Sequence, residues 1–245
     1  MKPLPPSVDI FITADGSPTL QFKREDGYGE KMHHSGGALS ESLFVYQSAL
    51  QRVLENNSTP RVLSMGLGLG YNEIITCAHL HSQNTLSSAT KIWSFEALPF
   101  LRDEFTAWLG GAFTAHLHTV YEDVLQKICA YFQIHAAELK NIMLNLKSLN
   151  QLQLRSAFPD DSHAVSECNL VYYDAYSKKM DAELWDEEIL VQRLGACLSV
   201  NCVLATYAAT GSLNRALKRL GFRLIPKPGF LGKRESTLAI RGQFS

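Results

Sequence analysis

The chain has 245 residues, of which 46% are hydrophobic, and its formal net charge is −1. This length fits one large α/β domain, or a domain with small additions, and the hydrophobic content is ample for a buried core. No apolar run approaches the roughly 20 residues of a membrane-spanning helix, and the proline-rich residues 1–6 do not resemble a signal peptide. The five cysteines form no C-x-x-C pair, which favours buried reduced thiols in a cytoplasmic protein and argues against a metal site.

The N-terminal part of the chain predicts a hairpin followed by a helix. Residues 9–13 and 18–22 are short apolar runs on either side of Asp15 and Gly16, a typical hairpin turn. Apolar residues then recur at spacings of four and three, namely Leu39, Leu43, Tyr46, Leu50 and Val53. This spacing predicts a helix over residues 40–54.

The rest of the chain alternates between apolar runs typical of strands and amphipathic stretches typical of helices. Strands are predicted at residues 61–65, 91–95, 152–155, 169–173 and 200–207, and helices at residues 71–80, 186–198 and 213–220. The pattern is helical between residues 101 and 149, and residues 222–225 and 236–240 are expected to form a final antiparallel pair. This alternation predicts a mostly parallel sheet that is covered on both faces.

A glycine-rich turn follows the first of these strands. It places Gly66, Gly68 and Gly70 at alternate positions, and the next strand ends at Glu96. In an open α/β sheet a ligand binds where the first strand turns into its helix, and an acid that ends the second strand accepts ribose hydroxyls. The spacing G-x-G-x-G is tighter than that of dinucleotide sites and suits a nucleoside such as S-adenosylmethionine, whose carboxylate the helix N-terminus would hold. The alternative is a tight turn that binds no ligand.

A second informative segment, residues 172–185, reads Y-Y-D-A-Y-S-K-K-M-D-A-E-L-W. Asp174 ends a central strand and is therefore expected beside the ligand crevice. The segment resembles D-[GA]-F-x-P-x-x-N-P-x-x-W in the methyltransferase domain of the MnmC family of bifunctional tRNA-modifying enzymes. Four further parts of the chain are similar to this family in the same order: residues 15–20 with 33–42, residues 65–72, residues 95–96, and residues 204–211 with 229–235.

The resemblance implies a fold and an activity. The fold would be a Rossmann-like α/β class I S-adenosylmethionine-dependent methyltransferase, with a mostly parallel seven-stranded sheet over residues 59–245 and a hairpin and helix extension over residues 1–58. The activity would convert 5-aminomethyl(-2-thio)uridine to 5-methylaminomethyl(-2-thio)uridine at the tRNA wobble position, with S-adenosylmethionine as cofactor and tRNA as partner. No membrane or metal is implied, and the chain is expected to be a stand-alone domain without the family's flavin-dependent oxidase part.

The resemblance also implies which residues form the site. Asp174 is expected to be catalytic, since its carboxylate would orient the amine and stabilise the positive charge that develops on it; a helix cap or a plain cofactor contact is the alternative. The expected cofactor-binding residues are Gly66, Leu67, Gly68, Gly70, Asn72, Glu96, Ala97, Ser156, Ala157, Asp174 and Ala175. The expected substrate-binding residues are His34, Ser35, Glu41, Tyr176, Trp185, Lys233 and Arg234. Tyr176 and Trp185 are equally compatible with positions in the core.

The chain departs from the family pattern at several positions. Leu69 stands where the family has Thr, and Lys178 and Asp181 stand where it has Pro and Asn. The strand that usually ends in Gly-Asp near the adenine aligns with residues 152–157, where no acid stands. Ser156 and Ala157 are therefore expected to contact adenine through a hydroxyl and a backbone N–H, with Asp123 as an alternative.

Basic residues are concentrated at the C-terminal end of the chain. Its last 36 residues contain one acid and eight cations, Arg215, Lys218, Arg219, Arg223, Lys227, Lys233, Arg234 and Arg241. Such a cluster is not expected to be neutralised locally and would dock a phosphate backbone; the alternative is a solvated face balanced by acids elsewhere.

Two other functions stay open, a methyltransferase that acts on a small amine or another acceptor, and a non-catalytic tRNA-binding relative. The sequence does not specify the oligomeric state.

Overall fold

The computed structural model describes residues 8–24, 27–113, 115–156, 165–176, 182–232 and 235–244. Its first three strands form a small antiparallel sheet, β1 (Val8–Ile12), β2 (Pro18–Arg24) and β3 (Gly27–Lys31). The predicted hairpin is confirmed in β1 and β2, which pair with Val8 opposite Phe22. The sequence does not predict β3, because G-Y-G-E-K contains two glycines and no β-branched residue.

A continuous helical segment follows, made of α1 (Ala38–Ser42), a π-helical turn (Leu43–Gln47) and α2 (Ser48–Glu55). It confirms the helix predicted over residues 40–54, whereas the apolar spacing does not reveal the π turn. The hairpin turn caps the start of this segment. Asp15 Oδ2 accepts the N–H of Ser40 at 3.0 Å, and Ser17 Oγ accepts the N–H of Ala38 at 3.0 Å. Because the first N–H groups of a helix lack helical partners, these bonds fix the helix against the small sheet.

A second, larger sheet carries the rest of the chain. Its strands are β4 (Arg61–Met65), β5 (Lys91–Phe95), β6 (Leu152–Arg155), β7 (Cys168–Tyr173), β8 (Leu198–Thr206), β9 (Arg223–Pro228) and β10 (Glu235–Arg241). Its helices are α3 (Tyr71–Ser82), α4 (Pro99–Leu109), α5 (His118–Phe132), α6 (Ala136–Ser148), α7 (Glu187–Cys197) and α8 (Gly211–Arg219). The strand order is β6-β5-β4-β7-β8-β10-β9. β10 is antiparallel to both of its neighbours and the other adjacent pairs are parallel, which confirms the mostly parallel seven-stranded sheet.

The boundaries of these elements agree closely with the predicted ones. β4, β5 and β6 have the predicted bounds, and β7, β8, α3, α7 and α8 begin and end within two residues of them. The final antiparallel pair is confirmed as β9 and β10. The helical stretch between residues 101 and 149 consists of three helices, and Gln133 ends the second of them in a left-handed conformation with φ of 57°.

Two apolar layers cover the two faces of the large sheet. Val62 and Ile92 face a layer built with α3, α4, α5 and α6, whereas Leu63 and Trp93 face a layer built with α7 and α8. Neighbouring residues of one strand therefore contribute to opposite layers. All five cysteines are buried and free, as predicted. Within the described ranges, none of the helices combines the length and the apolarity that a bilayer crossing requires.

The strand order opens a crevice at the carboxyl ends of β4 and β7. From β4 the chain proceeds to β5 on one side, while β7 lies on the other side of β4. The loops that follow β4 and β7 therefore leave the sheet in opposite directions, which creates the ligand-binding crevice of doubly wound sheets. The glycine loop and Asp174 both lie at this point of the sheet.

Candidate active site

The glycine loop, residues 66–70, is shaped by close contacts with neighbouring elements. Gly66 has φ of 87°, and a Cβ atom at this position would lie 2.4 Å from the backbone oxygen of Asp174. Gly70 caps α3 in a left-handed conformation, and a Cβ atom there would lie 2.4 Å from the ring of Phe105. The N–H of Gly66 donates to the carbonyl of Phe95 at 2.9 Å. Gly66 thus lets the loop approach the end of β7 and Gly70 lets it approach α4, and side chains at these positions would prevent both contacts.

Glu96 is buried directly beside this loop, with 4% of its surface exposed. Its Oε2 accepts the N–H of Gly68 at 3.0 Å, and its Oε1 accepts the N–H of Leu98 at 3.0 Å. Burial raises the pKa of the carboxyl, and the two N–H groups oppose this rise. Because each carboxylate oxygen can accept a second hydrogen bond, Glu96 retains acceptor capacity toward the cavity that it lines.

Asp174 follows β7 immediately and lies across the crevice from the glycine loop. Its N–H donates to the carbonyl of Met65 at 3.1 Å, and its Oδ2 accepts Asn72 Nδ2 at 2.9 Å. Burial raises the pKa of the Asp174 carboxyl to about 7, and the negative charge of Glu41 contributes to the rise. The hydrogen bond from Asn72 and the nearby hydroxyl of Tyr46 act in the opposite direction and lower this pKa. The carboxyl group is therefore poised to gain or lose a proton near neutral pH.

A cavity of about 550 Å³ joins these groups at the carboxyl ends of β4, β5 and β7. Most of the residues predicted from the sequence line it. On the cofactor side these are Gly66, Leu67, Gly68, Asn72, Glu96, Ala97, Ser156, Asp174 and Ala175, and on the substrate side His34, Ser35, Glu41 and Tyr176. The loop that carries His34 is held against the helical segment, because its N–H donates to Glu41 Oε2 at 2.6 Å.

Other predicted site residues lie elsewhere. Trp185 is fully buried, packs edge-to-face on Tyr173 at 5.2 Å and donates its indole N–H to the carbonyl of Tyr176 at 2.5 Å, so we assign it to the core beneath the cavity. Gly70 contributes to the helix cap and not to the cavity lining. The remaining predicted site residues, Ala157, Lys233 and Arg234, lie outside the described residues, as do Lys178 and Asp181, where the chain departs from the family pattern.

The structure places both Asp123, the alternative adenine contact, and Leu69, the departure in the glycine loop, away from the cavity lining. Asp123 lies on α5 and pairs with Lys127 at 3.6 Å, away from the cavity lining, so its position does not support this alternative. Ser156 follows β6 and lines the cavity. The side chain of Leu69 is fully buried in the apolar layer of α3 to α6 and points away from the ligand crevice.

Tyr46 and Tyr207, which are not among the expected site residues, also line the cavity. The hydroxyl of Tyr207 donates to the carbonyl of Ala175 at 2.8 Å. The hydroxyl of Tyr46 is buried and, among the described residues, meets no partner at hydrogen-bond geometry. The family resemblance at residues 204–211 includes Tyr207 and could have identified it as a site residue. Tyr46 lies within an apolar stripe, which predicts a position in the core.

The cations of the C-terminal part are paired more extensively than the sequence suggests. Arg215 Nε lies 2.6 Å from Glu187 Oε2, and Arg219 Nη1 lies 2.5 Å from Glu188 Oε1. The expectation that they are not neutralised locally is wrong for these two residues, because α7 and α8 pack side by side. Lys218 and Arg223 are exposed and form no ion pair with another described residue.

The site has the donor set of a nucleoside-binding transferase. The glycine turn offers backbone N–H groups, Glu96 offers acceptors for ribose hydroxyls, and buried polar atoms without partners in the described structure, Asn72 Oδ1 and the Tyr176 hydroxyl, belong to residues of the cavity lining. The cavity volume lies within the ~300–1,000 Å³ typical of small-ligand sites. Together with the parallel sheet and its antiparallel β10, these features define a Rossmann-like methyltransferase site that S-adenosylmethionine fits.

The chain belongs to a family described as S-adenosyl-L-methionine-dependent methyltransferase, whose model matches residues 113–242, more than half of the chain. Its cofactor is therefore S-adenosylmethionine. The match begins beyond the glycine loop and Glu96, so it covers the Asp174 side of the site.

Several relatives are similar over most of the chain. The tRNA 5-methylaminomethyl-2-thiouridine biosynthesis bifunctional protein MnmC of Aromatoleum aromaticum is 26% identical over 92% of this chain and 34% of its own length. The protein of the same name from Campylobacter hominis is 23% identical over 80% of this chain and 27% of its own length. An uncharacterized protein of Methanocaldococcus jannaschii is 28% identical over 95% of this chain and 59% of its own. The chain thus spans about a third or less of the bifunctional relatives.

A solved structure supports the fold. The crystal structure of MnmC2 from Aquifex aeolicus superposes with a TM-score of 0.63 at 23% identity, and the alignment covers 97% of this chain and 71% of that one. The similarity includes the N-terminal part of the chain as well as the large sheet, because it extends over nearly all residues. It confirms the Rossmann-like methyltransferase fold.

Proposed function

We propose that the chain methylates the amine of 5-aminomethyl(-2-thio)uridine at the wobble position of tRNA and so forms the 5-methylaminomethyl product. The observation that carries the proposal is the carboxylate of Asp174, which lines the cavity at the switch point beside the glycine loop. The names of the bifunctional relatives support a tRNA acceptor of this type, as does the ordered resemblance of the motifs.

Asp174 has the chemistry that methylation of an amine requires. S-adenosylmethionine supplies a methyl group on a sulfonium sulfur, so the acceptor nitrogen must present a free lone pair. The Asp174 carboxylate accepts an N–H of the amine, which orients that lone pair and stabilises the positive charge developing on nitrogen. After the C–N bond has formed, the nitrogen carries one surplus proton. Asp174, whose pKa is about 7, takes this proton and releases it to solvent.

The cavity also favours an acceptor that arrives with a positive charge. Glu30, Glu41 and Asp174 line it together. An aliphatic amine is protonated in water at neutral pH, and a concave site lined by carboxylates attracts such a cation. This cation must first lose one proton to solvent, which leaves the neutral amine that reacts while the Asp174 carboxylate stays ionised.

The tRNA backbone would contact exposed cations outside the cavity. Lys218 on α8 and Arg223 at the start of β9 are exposed, and they are separated by only a short turn in the chain. Because Arg215 and Arg219 already pair with acids of α7, Lys218 and Arg223 are the better candidates for phosphate contacts.

The test is nucleoside mass spectrometry of tRNA from a strain that lacks the gene, complemented with the parent chain or with Asp174→Asn. We expect the 5-aminomethyl nucleoside to accumulate in the deletion strain and in the Asp174→Asn strain, and the methylated nucleoside to return with the parent chain. If tRNA nucleosides are the same in all strains, the acceptor is a different amine and the proposal fails.

A further inference from the structure

Tyr46 occupies an unusual position in the wall of the cavity. Its side chain is 3% exposed and lines the cavity, and its hydroxyl meets no hydrogen-bond partner among the described residues. Folded proteins pair nearly all buried polar groups, and a buried hydroxyl left without a partner is costly. A phenol that faces a ligand cavity in this state points to a partner that arrives with the ligand.

Tyr46 lies beside Asp174, with its hydroxyl near the carboxyl group. The Tyr46 ring packs in a T-shaped arrangement on the ring of Tyr172 of β7, with the ring centroids 5.3 Å apart. The Tyr46 hydroxyl lies close enough to the Asp174 carboxyl to lower the pKa of that group against the stronger effect of burial, although the two groups do not meet at hydrogen-bond geometry. Asn72 donates to the same carboxyl group, through Oδ2. The carboxylate thus has one donor already in place and a second, Tyr46, close enough to engage it.

The helix that carries Tyr46 is locally distorted. Tyr46 lies in the π-helical turn Leu43–Gln47, and such turns leave main-chain carbonyls without regular helical partners. Lys227 of β9 satisfies them, since its Nζ donates to the carbonyls of Phe44 and Val45 and to Ser48 Oγ at 3.1 Å. The distortion is therefore anchored by an element outside the helix, and single π turns occur frequently at functional sites.

We propose that Tyr46 is a catalytic residue whose hydroxyl contacts the acceptor amine: it donates a hydrogen bond to the Asp174 carboxylate and accepts an N–H from the amine. A primary amine has two N–H groups and one lone pair. With one N–H on Asp174 and the other on Tyr46, the lone pair is the remaining direction and is left for the methyl group. This assignment rests on the proposed function, because it takes the acceptor to be a primary amine.

The test compares Tyr46→Phe with Tyr172→Phe, a buried tyrosine next to it that does not line the cavity. Three quantities are measured: the pKa of the Asp174 carboxyl by carbon-13 NMR of the protein without ligand, the affinity for S-adenosylmethionine by calorimetry, and the turnover on tRNA. In Tyr46→Phe we expect a higher pKa of Asp174, affinity for S-adenosylmethionine within about twofold of the parent, and turnover reduced roughly tenfold or more. Tyr172→Phe should change neither the pKa nor the turnover.

The inference is overturned if Tyr46→Phe retains the parent turnover, or if it loses turnover only in proportion to cofactor affinity, since that pattern describes a structural role. An unchanged pKa of Asp174 in Tyr46→Phe also overturns it. If the parent chain does not methylate tRNA, the proposed function fails, and the titration of Asp174 still decides whether Tyr46 bonds to its carboxyl group.

Discussion

Asn72 Nδ2 and Asp174 Oδ2 are joined by a 2.9 Å hydrogen bond between the first turn of α3 and the end of β7. The bond crosses the crevice, so the helix that starts at the glycine loop also orients the carboxylate that we assign to the reaction. Asn72 is expected from the motif to bind the cofactor. Its amide nitrogen is committed to Asp174, and its buried Oδ1, which has no partner among the described residues, is the atom left for a ligand.

Replacing Asn72 by Ala should raise the pKa of Asp174, because the bond from Asn72 lowers it. The carboxylate would then be protonated to a greater extent at pH 7, so turnover at that pH should fall and recover in part as the pH rises. The acid limb of the pH profile of kcat/KM measures this shift. A profile that keeps its midpoint while kcat/KM falls uniformly would show that Asn72 does not act through Asp174.

Glu73 is a buried carboxyl group outside the cavity, and it tests separately how burial raises a carboxyl pKa and lowers the stability of the fold. It lies on α3 outside the cavity lining, is 1% exposed and accepts Ser94 Oγ at 2.6 Å. Burial raises its pKa to about 7, so between about pH 4.5 and 7 the folded protein binds more protons than the unfolded chain and loses stability as the pH rises. This cost is fully present above pH 7.

Glu73→Gln should therefore increase the free energy of unfolding by on the order of 2 kcal/mol at pH 8 and by little at pH 4. Turnover should stay within about twofold of the parent, since Glu73 contacts no reacting group. Denaturant unfolding at the two pH values measures the effect. Equal stability changes at both pH values would contradict the assigned cause.

The affinity for S-adenosylmethionine should depend on Glu96 and Gly68. Glu96→Ala removes the expected ribose acceptor and releases the N–H of Gly68. Gly68→Val adds a branched side chain at φ of 51°, where a Cβ atom would lie 3.2 Å from Met32 Sδ. Because one hydrogen bond to a charged group contributes about 1.5–3 kcal/mol, affinity should fall at least about tenfold in calorimetry. Parent affinity in both variants would relocate the cofactor site, and Glu55→Gln, an exposed acid, serves as control.

The exposed cations should carry the electrostatic part of tRNA binding. The double variant Lys218→Glu/Arg223→Glu should weaken binding and reduce the slope of log affinity against log salt by roughly 0.7–0.9 for each lost phosphate contact. Arg219→Glu is the matched comparison, because this guanidinium already pairs with Glu187 and Glu188. Filter binding over a series of salt concentrations measures both. A slope that changes only in Arg219→Glu would place the RNA on a different face.

The sequence predicts the ligand-binding turn better than it predicts the wall of the cavity. Gly66, Gly68 and Glu96 belong to a local succession of strand, turn and acid, so their spacing is sufficient to propose them as site residues. Tyr46 reaches the cavity through tertiary packing. Apolar periodicity gives the same pattern for a residue that faces the core and for one that faces a ligand.

Charge and side-chain direction also depend on contacts between distant segments. Arg219 and Glu188 are far apart in the chain and pair because α7 and α8 lie side by side. Leu69 departs from the family pattern, yet its buried side chain does not face the crevice. Trp185 belongs to a matching segment but lies beneath the cavity. In each case the element packed against the residue determines its ion pairing or the direction of its side chain. A single sequence does not specify which element that is.

Methyl transfer to a defined anticodon stem-loop tests the central claim most directly. One stem-loop carries 5-aminomethyl-2-thiouridine at the wobble position and a second carries unmodified uridine there, and both are incubated with labelled S-adenosylmethionine. We expect the parent chain to methylate only the first. Asp174→Asn should remain folded and bind S-adenosylmethionine, but its turnover should fall by roughly 100-fold or more, because the charge that develops on nitrogen loses its acceptor. Equal labelling of both stem-loops, or parent turnover in Asp174→Asn, would contradict the account.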